Sequence, residues 1–420
     1  MKKLFWIFIA SPVLFSARIW AQETVKDTVF LIPFADTVLL DEVVVKAHKT
    51  IPMNNRWSNL QPVDLVTVAG ANGNLYKALE TLPGTQIQGE SGRLLVRGGS
   101  SDETQTYIDG MHVLNPYTST AENTPARGRY SPFMFSGINL STGGHSQEYG
   151  EALSAVLPLE TKDNSRINKV GISPSTVGIG GGGNHAFRNA SLALNLDYQN
   201  LALYNKVYPG RIDFKKPYQM FSGATQFRYT PSGSSVFKIY VGYDRTDYSN
   251  YTDNNRYLFC LGENNVYLNS TFRTAISGGW EWFSGMAYSL FDRKVDGAVT
   301  EGDHWCEKQA ELHFKTKLSK KFHPTFRMDV GFESFLRWYE TRYSQVSVAD
   351  TKEISPTIEA VFGTVSYYPV ENLKAELSFR TEYASLARKI NFSPRLSFSY
   401  SWCDLVLSAT AGRYTQLPNA

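Results

Sequence analysis

The chain has 420 residues, a formal net charge of +3 and a mean hydropathy of −0.28, and 14% of its residues are Phe, Trp or Tyr. This charge balance gives no support to a nucleic-acid-binding class, which normally carries a concentrated basic stripe, so no nucleic acid is expected as a partner. Many aromatic side chains with a mildly polar average are typical of membrane β-barrels, whose strands are apolar toward lipid and polar toward the lumen.

The amino terminus predicts a signal peptide over residues 1–21. Two lysines precede an apolar run from Leu4 to Phe15, and small or polar residues close the run near Ala21. A transmembrane helix would need about 20 apolar residues, and this run is interrupted earlier. We therefore expect export, with cleavage at or near Ala21.

Residues 22–56 form a short mixed segment that contains one compact β-branched run, residues 41–47. The run begins with Asp41 and Glu42 and continues with Val43, Val44 and Val45. We expect a strand without a hairpin partner of its own. On these residues alone two interpretations stand open: an ordinary edge strand, or a strand that pairs with the open sheet edge of another protein.

Residues 57–161 predict a compact α+β domain. Apolar residues at helical spacing predict a helix over Asn74–Leu82, which Pro83 and Gly84 end. A strand over Arg93–Arg97 follows, and Asp109 with Gly110 is a typical tight-turn pair after the strand Thr106–Ile108. Further short strands are predicted at Ile138–Leu140 and Ala155–Leu157.

Residues 162–420 predict about a dozen antiparallel strands, because segments of about ten residues alternate apolar and polar side chains between turn signals. In Glu311 to Leu318 the charged side chains fall on one face and the apolar ones on the other. Five aromatic residues near apparent strand ends predict a girdle at the membrane interface: Trp280, Trp282, Trp338, Tyr367 and Tyr368.

A soluble β-sandwich would also alternate, but it would bury its apolar face against a second sheet. Loop lengths favour the membrane interpretation. Pro369–Asn372 and Lys320–Pro324 read as short turns, whereas Tyr248–Glu263 and Gln345–Ser355 read as long loops. Short turns on one side and long loops on the other are the outer-membrane pattern.

Four stretches, in their order and spacing, resemble the TonB-dependent outer-membrane receptor family. Asp41–Ala47 resembles a TonB box, and Leu79–Gly84 resembles the helix-to-turn element of the plug domain. Val96–Asp102, followed by Tyr107–Gly110, is similar to the central plug signature. The stretch from Gly143 to Gly150 is similar to its closing segment.

The resemblance implies a mainly β fold: a small α+β plug domain followed by antiparallel transmembrane strands, about half of a 22-stranded barrel. It implies that Asp41, Glu42, Val43, Val44 and Val45 pair with TonB in the periplasm, and that the mature chain lies in outer-membrane lipid. The ligand stays open among small molecules, glycans and peptides. The implied plug-signature residues are Arg97, Gly98, Gly99, Asp109, Gly110, Gly143, Gly144, Tyr149 and Gly150.

Two roles stand open for Arg97: a charge-assisted contact between plug and barrel wall, or a solvated residue at a strand end. The signature glycines are expected to meet backbone requirements and not to contact ligand.

Other patterns in the sequence give only weak indications of a functional site. Four glycines at 180–183 lack the lysine of a phosphate loop and predict a flexible first barrel segment. The triplet His304–Cys306 lacks further metal ligands at a recognisable spacing. Three cysteines form no disulfide framework, which leaves a bridge between Cys260 and Cys306 as the one alternative. No catalytic triad or carboxylate pair stands out, so no enzyme, cofactor or metal is expected.

The 420 − 160 = 260 residues after Glu160 are too few for a complete barrel of this family. Its 22 strands of about 9 to 11 residues would use roughly 200 to 240 of them before any loop. We therefore expect an amino-terminal portion whose transport competence alone is in doubt, since an open sheet leaves backbone groups unpaired in lipid. The alternatives are a barrel or adhesin that does not couple to TonB and, more remotely, a secreted carbohydrate-acting β-protein.

Overall fold

The computed structural model describes residues 57–417, apart from 61, 72, 89–90, 120–125, 163–167, 210–212, 253–256, 346–347 and 403–404. The predicted signal peptide and the predicted coupling residues Asp41 to Val45 lie outside the described residues. Within the part described, no helix is long and apolar enough to cross a membrane.

Residues 57–161, called the plug unit below, form a small α+β structure. Its elements are β1 (Trp57–Leu60), α1 (Pro62–Thr67), α2 (Leu75–Leu79), β2 (Thr85–Gln88), β3 (Arg93–Val96), β4 (Thr104–Ile108), β5 (Met111–Val113), β6 (Phe135–Ser141) and β7 (Ala155–Thr161). Five strands form one sheet in the order β1-β6-β7-β4-β5, and β2 pairs with β3. The β4–β7 pair is parallel, and the other pairs are antiparallel.

Helix α2 begins where the sequence predicts it, because the Asn74 side chain accepts a hydrogen bond from the backbone N–H of Tyr76. It ends three residues before the predicted Leu82. Backbone N–H groups there bond to carbonyls three residues back, and the Thr85 hydroxyl donates to the Leu79 carbonyl oxygen at 2.8 Å. The last turn therefore tightens before Pro83 is reached.

The β4–β5 hairpin turns at Asp109 and Gly110, as predicted. Both residues have positive φ, 50° and 84°, and Ile108 pairs directly with Met111. Two positive φ values define a type I′ turn, whose twist matches that of the flanking strands. The Asp-Gly pair thus fixes which residues stand at the tip of this hairpin.

Residues 169–412, called the wall below, form one large antiparallel sheet. Its strands are β8 (Lys169–Ser175), β9 (Gly178–Ala186), β10 (Ala190–Asn200), β11 (Phe214–Ser232), β12 (Ser235–Thr252), β13 (Tyr257–Ile276), β14 (Trp280–Asp296), β15 (His304–His323), β16 (Phe326–Gln345), β17 (Val348–Ile354), β18 (Thr357–Val370), β19 (Leu373–Ala384), β20 (Lys389–Trp402) and β21 (Leu405–Gly412), with a short helix α3 (Ala202–Val207) between β10 and β11. Sequence neighbours pair throughout, except that β17 pairs only with β16 and β18 also pairs with β16. Within the part of the chain described, the sheet is open, with β8 and β21 at its edges. The predicted mainly β class, with an antiparallel sheet behind an α+β unit, is confirmed.

Three sequence-based expectations about this sheet were wrong. The four glycines at 180–183 are not a flexible segment, because they lie in β9, paired on both sides by β8 and β10. The predicted long loops Tyr248–Glu263 and Gln345–Ser355 consist largely of the ends of β12, β13 and β16 and of strand β17. The expected strand length of about ten residues is also too short for the middle of the sheet. The strands β11 to β16 are 17 to 20 residues long and continue well past the length needed to cross lipid.

The wall has the inside-out polarity of a membrane barrel. On β15, Phe314 and Leu318 are 40% and 43% exposed, while the intervening face buries Glu311, His313 and Lys315 to 1% or less. A soluble sandwich would show the reverse, since charged residues are almost never fully buried without partners and large apolar ones normally are. The exposed face therefore suits lipid, and the charged face lines the lumen.

The outward apolar band on β15 runs from Ala310 to Leu318, nine residues, between the outward Lys308 and Lys320. This length matches the roughly 9 to 11 residues that a tilted strand needs to cross the hydrocarbon layer. The exposed Trp338 pairs with Ala310 near one border, and Trp280 pairs with Lys320 at the other. Both tryptophans thus stand where the predicted aromatic girdle would lie.

Replacing Phe314 with Arg is expected to lower the stability of the folded, inserted protein by about 2 to 4 kcal/mol, because the cation would face the middle of the apolar band. Unfolding in urea, followed by the heat-modifiable shift of the folded band on gels, measures the change. The control is Cys306→Arg, which places the same charge on the outward face of the same strand beyond the band. A loss of equal size at both positions would contradict the assignment of the band.

The two described cysteines are free thiols, so the alternative of a Cys260–Cys306 bridge is wrong. Cys260 pairs with Asp296 and Cys306 pairs with Lys294, which puts strand β14 between them. Two strand spacings, about 10 Å, exceed the separation of less than about 7 Å that a disulfide needs between Cα atoms.

Candidate functional site

The plug unit packs against the inner face of the wall through aromatic side chains. Tyr130 and Phe135 of the plug unit lie 6.1 Å, centroid to centroid, from the ring of Tyr240, and Tyr130 lies 6.2 Å from Tyr267. All four rings belong to one buried cluster. Burying such large rings contributes non-directional attraction at this contact.

A first buried ion cluster joins the plug unit to β15 and β16. The Nδ1 atom of His112 lies 2.6 Å from Oε1 of Glu311, and Arg337 donates from Nε to the other oxygen of that carboxylate at 2.6 Å. Arg337 also donates to Glu151 of the plug unit at 3.1 Å. The wall pair Glu311–Arg337 is therefore held between two side chains of the plug unit.

A second cluster centres on Glu333, which is fully buried. Its carboxylate lies 2.9 Å from His313 Nε2 and 2.7 Å from Arg380 Nη1, and Lys315 Nζ stands at 3.6 Å. The backbone N–H of His112 donates to His313 Nδ1 at 3.0 Å, which links the two clusters. Each buried charge thus has an opposite charge or a hydrogen-bond partner, as burial requires.

Lys315 anchors the closing segment of the plug unit. Its ammonium donates to the backbone carbonyl oxygen of Glu148 at 2.7 Å and lies 5.1 Å and 5.7 Å from the ring centroids of Tyr149 and Tyr107. Lys317 donates to the Glu148 carboxylate at 2.6 Å. A desolvated cation over aromatic faces is worth about 2 kcal/mol or more, so these contacts fix residues 148 and 149 to β15.

Asp109 ties the hairpin tip to both the end of β7 and the wall. Its carboxylate accepts hydrogen bonds from the backbone N–H and hydroxyl of Thr161 at 3.0 Å and 2.5 Å, and from Lys238 Nζ at 3.1 Å. The Asp-Gly turn therefore positions a carboxylate beside the point where the plug unit leads into the wall.

Gly150 is required by the close approach of Arg380. A Cβ atom at position 150 would lie 2.3 Å from Arg380 Nη2 and 2.6 Å from Cζ, and the Gly150 carbonyl oxygen accepts a hydrogen bond from Tyr107 at 2.9 Å. Arg380 cannot yield easily, because Glu333 and Glu382 hold its guanidinium at 2.7 Å and 2.9 Å. Glycine here serves the packing of the plug unit against a charged wall residue.

The structure brings part of the predicted signature to the wall and leaves part away from it. Asp109, Gly110, Tyr149 and Gly150 contact wall side chains. Arg97 lies exposed in a turn at a φ of 52° and forms no ion pair with any residue the structure describes. Four signature glycines meet backbone or packing needs within the plug unit: Gly98, Gly143 and Gly144 by positive φ, and Gly99 by contact with Ser154.

The residues that form the ion clusters were missed as a group by sequence reasoning. Two inward faces carried a signal. Glu311, His313, Lys315 and Lys317 of β15 alternate with apolar residues, and so do Lys374, Glu376 and Arg380 of β19. The missed members are His112, Glu148 and Glu151 in the plug unit, and Glu311, His313, Lys315, Glu333, Arg337 and Arg380 in the wall.

The charge of Glu148 depends on the wall lysines. Burial alone would raise the pKa of this carboxyl group, but Lys317 and Lys315 hold its pKa at about 2, below the ordinary 4.5. The lowered pKa means that the folded protein binds this proton less tightly than the unfolded chain does. Glu148 therefore contributes its full stabilisation above pH 4.5 and loses it as the pH falls toward 2.

Melting temperatures of the reconstituted protein between pH 6 and pH 2.5 test this contribution. We expect Glu148→Gln to lower the melting temperature at pH 6 and to converge with the wild type at the acid end. Parallel melting curves for the two proteins across the whole range would contradict the assigned role.

Comparisons with known proteins agree with this architecture. Residues 64–156 match the family model of the TonB-dependent Receptor Plug Domain. No curated protein matches the chain at a significant level of sequence similarity.

Among solved structures, the copper transporter OprC is similar over 87% of this chain and 65% of its own, with 12% identity and a TM-score of 0.67. The siderophore receptor PirA from Pseudomonas aeruginosa is similar over 87% and 63%, with 13% identity and a TM-score of 0.63. The alcaligin outer-membrane receptor FauA from Bordetella pertussis is similar over 86% and 63%, with 11% identity and a TM-score of 0.64. The chain thus spans less than two thirds of each of these structures, and the likeness concerns the fold. The chain carries a TonB-dependent receptor plug domain, set against the antiparallel wall strands of the TonB-dependent receptor fold.

Proposed function

We propose that the complete protein is a TonB-dependent outer-membrane receptor that takes up a scarce ligand in an energy-coupled step. One observation carries the proposal: a plug domain is fixed by buried ion clusters to the polar face of a sheet whose other face is apolar and exposed. A barrel of this family is wide enough to leak solutes without a plug. Several separate ion pairs can break one after another. They therefore suit a plug that must stay docked at rest and move during uptake.

Energy coupling is assigned to the strand formed by Asp41, Glu42, Val43, Val44 and Val45. A β-branched strand without a hairpin partner can add to the sheet edge of TonB, where backbone hydrogen bonds supply affinity. A pull on this strand would reach the plug unit first at β1, its most amino-terminal element and an edge strand of its sheet. The assigned organisation is a signal peptide at 1–21, a periplasmic segment at 22–56, a plug at 57–161 and barrel strands at 162–420.

The ligand is assigned to the loop end of the lumen, above the plug. Three inward aromatic residues share one row of the wall beyond the apolar band: Tyr248, Trp305 and Tyr343. The ion pair Arg293–Glu307 lies in the row below. The similar structures are named for siderophores, alcaligin and copper; at 11 to 13% identity these names do not select among a small molecule, a glycan and a peptide here.

The test removes residues 41–45 from the complete gene after growth profiling of a strain lacking the locus has identified the ligand. We expect cells with this deletion to bind the ligand at the surface with wild-type affinity and to lose energy-dependent uptake, by about 100-fold or to background. The matched control deletes Ala35–Leu39, which shortens the same segment equally and should leave uptake largely intact.

Undiminished uptake without residues 41–45 would favour the alternative, a barrel or adhesin that does not couple to TonB. Equal loss in both deletions would show that only the length of the segment matters, and it would also count against the assigned pairing.

A further inference from the structure

The five residues after β21, Arg413–Leu417, are called the strap below. Arg413 still bonds to the wall through the Pro394 carbonyl oxygen, and the residues after it reach the plug unit. Strand β21 ends at Gly412, which pairs with Arg395 of β20. β21 runs away from the end of the wall that carries the short turns, and Arg395 lies midway along β20, so the strap begins about halfway along that strand. Its contacts are with side chains and carbonyl groups of both the wall and the plug unit.

Tyr414 contacts one side chain of the wall and one of the plug unit. The Arg395 guanidinium carbon lies 3.8 Å from the centroid of the Tyr414 ring, and that ring lies 4.9 Å from the imidazole of His145 in the plug unit. Arg395 also donates to the His145 carbonyl oxygen at 2.6 Å. His145 is therefore held by the wall through its backbone and by the strap through its ring.

The other strap residues contact the plug unit and strand β19. The side-chain amide of Gln416 donates to the carbonyl oxygen of Asp102 at 2.7 Å, and the backbone N–H of Leu417 donates to the Glu151 carboxylate at 3.3 Å. Thr415 donates to Glu382 of β19 at 2.6 Å. The strap thus touches both signature stretches of the plug unit, residues 96–102 and 143–151, and is itself fixed to the wall.

We propose that the strap is a plug-positioning segment: Tyr414 and Gln416 hold the two signature stretches in the docked position, and the plug moves only after these contacts release. The strap leaves β21 beside Arg395, midway along β20, and reaches the closing stretch that Lys315 and Arg337 hold from the wall. A displacement of β20 or β21 would therefore loosen the plug through the strap, without any change in the ion clusters.

The electrostatics of His145 agree with this role. Burial, together with the neighbouring Arg395, holds the pKa of His145 at about 3. The imidazole is therefore neutral at physiological pH and can lie against the Tyr414 ring, close to Arg395, without charge repulsion. The strap contact should accordingly not change between pH 5 and pH 8.

Hydrogen exchange of the complete receptor in detergent, read by mass spectrometry, tests the proposal without TonB or ligand. In Tyr414→Ala we expect amide exchange in residues 143–151 to rise by about fivefold or more, because a local opening becomes easier. Exchange in residues 104–113 should stay at the wild-type rate. Tyr414→Phe keeps the ring and should behave as wild type, and so should Tyr400→Ala, which removes a tyrosine from the lipid-facing side of β20.

Gln416→Ala keeps the test decisive if Tyr414→Ala fails to insert. It removes only the bond to the Asp102 carbonyl, so faster exchange is expected in residues 96–103 alone. Wild-type exchange in both variants, or a rise spread evenly through the plug unit, would overturn the proposal. Because the readout needs no uptake, its failure is distinct from a failure of the proposed transport function.

Discussion

Replacing Glu333 with Gln is expected to undock the plug. Glutamine keeps the shape of the side chain but removes the charge that Arg380, Lys315 and His313 share at a fully buried position. Taking away one partner of a buried ion pair costs about 3 to 5 kcal/mol, because the remaining charges stay desolvated and uncompensated. Arg380 and Lys315 would lose their charge partner. Arg380 packs against Gly150 and Lys315 donates to the Glu148 carbonyl oxygen, so both contacts with the plug unit would weaken.

Limited proteolysis of the membrane-embedded receptor from the periplasmic side measures this change. We expect the plug of Glu333→Gln to be cut at least about tenfold faster than that of the wild type, while the wall strands stay intact. The control is Glu340→Gln, which neutralises a carboxylate of the same strand on the outer face beyond the apolar band. Equal protection of the plug in Glu333→Gln and wild type would show that the cluster does not hold it.

Replacing Gly150 with Ala is expected to be nearly as damaging, although it adds one methyl group. The new Cβ atom would overlap the Arg380 guanidinium, which Glu333 and Glu382 hold on its other side. Overpacking alone typically costs about 1 to 3 kcal/mol, and displacing Arg380 would add the cost of a broken buried ion pair.

Gly262→Ala is the matched control, because a Cβ atom there meets nothing within 4 Å. Urea unfolding of both variants gives the comparison. We expect a loss of more than about 2 kcal/mol for Gly150→Ala and a change within about 0.5 kcal/mol for Gly262→Ala. A loss below 1 kcal/mol at Gly150 would mean that Arg380 moves aside freely, and that it does not fix the closing segment.

The parts of the fold that local chemistry determines were predictable from sequence. Alternation with a period of two marks a strand wherever one face is buried and the other meets lipid, as in Glu311–Leu318. The Asp109–Gly110 turn was readable because few residue pairs accept positive φ at two successive positions. Loop lengths were harder to predict from sequence. The strands β12 to β16 continue beyond the apolar band as polar hairpins, and their composition resembles that of loops.

The candidate site was not predictable, because its partners are far apart in sequence. His112 and Glu311 are separated by 199 positions, and no local pattern states which wall row faces which plug residue. Strand register decides that, and a shift of one residue would turn every luminal charge outward. Arg97, a residue of the predicted signature, lies exposed, whereas Glu148 and Glu151 make contacts with the wall.

The central claim, that a plug fixed to the wall is moved through residues 41–45, is tested most directly by site-specific photo-crosslinking in intact cells. A photoreactive residue at Val44 of the complete receptor should crosslink to TonB, and the yield should rise when ligand is bound. The same residue placed at Val38, in the same segment outside the proposed strand, should crosslink weakly. Energy-dependent uptake that proceeds with no crosslink at any of positions 41–45 would contradict the account.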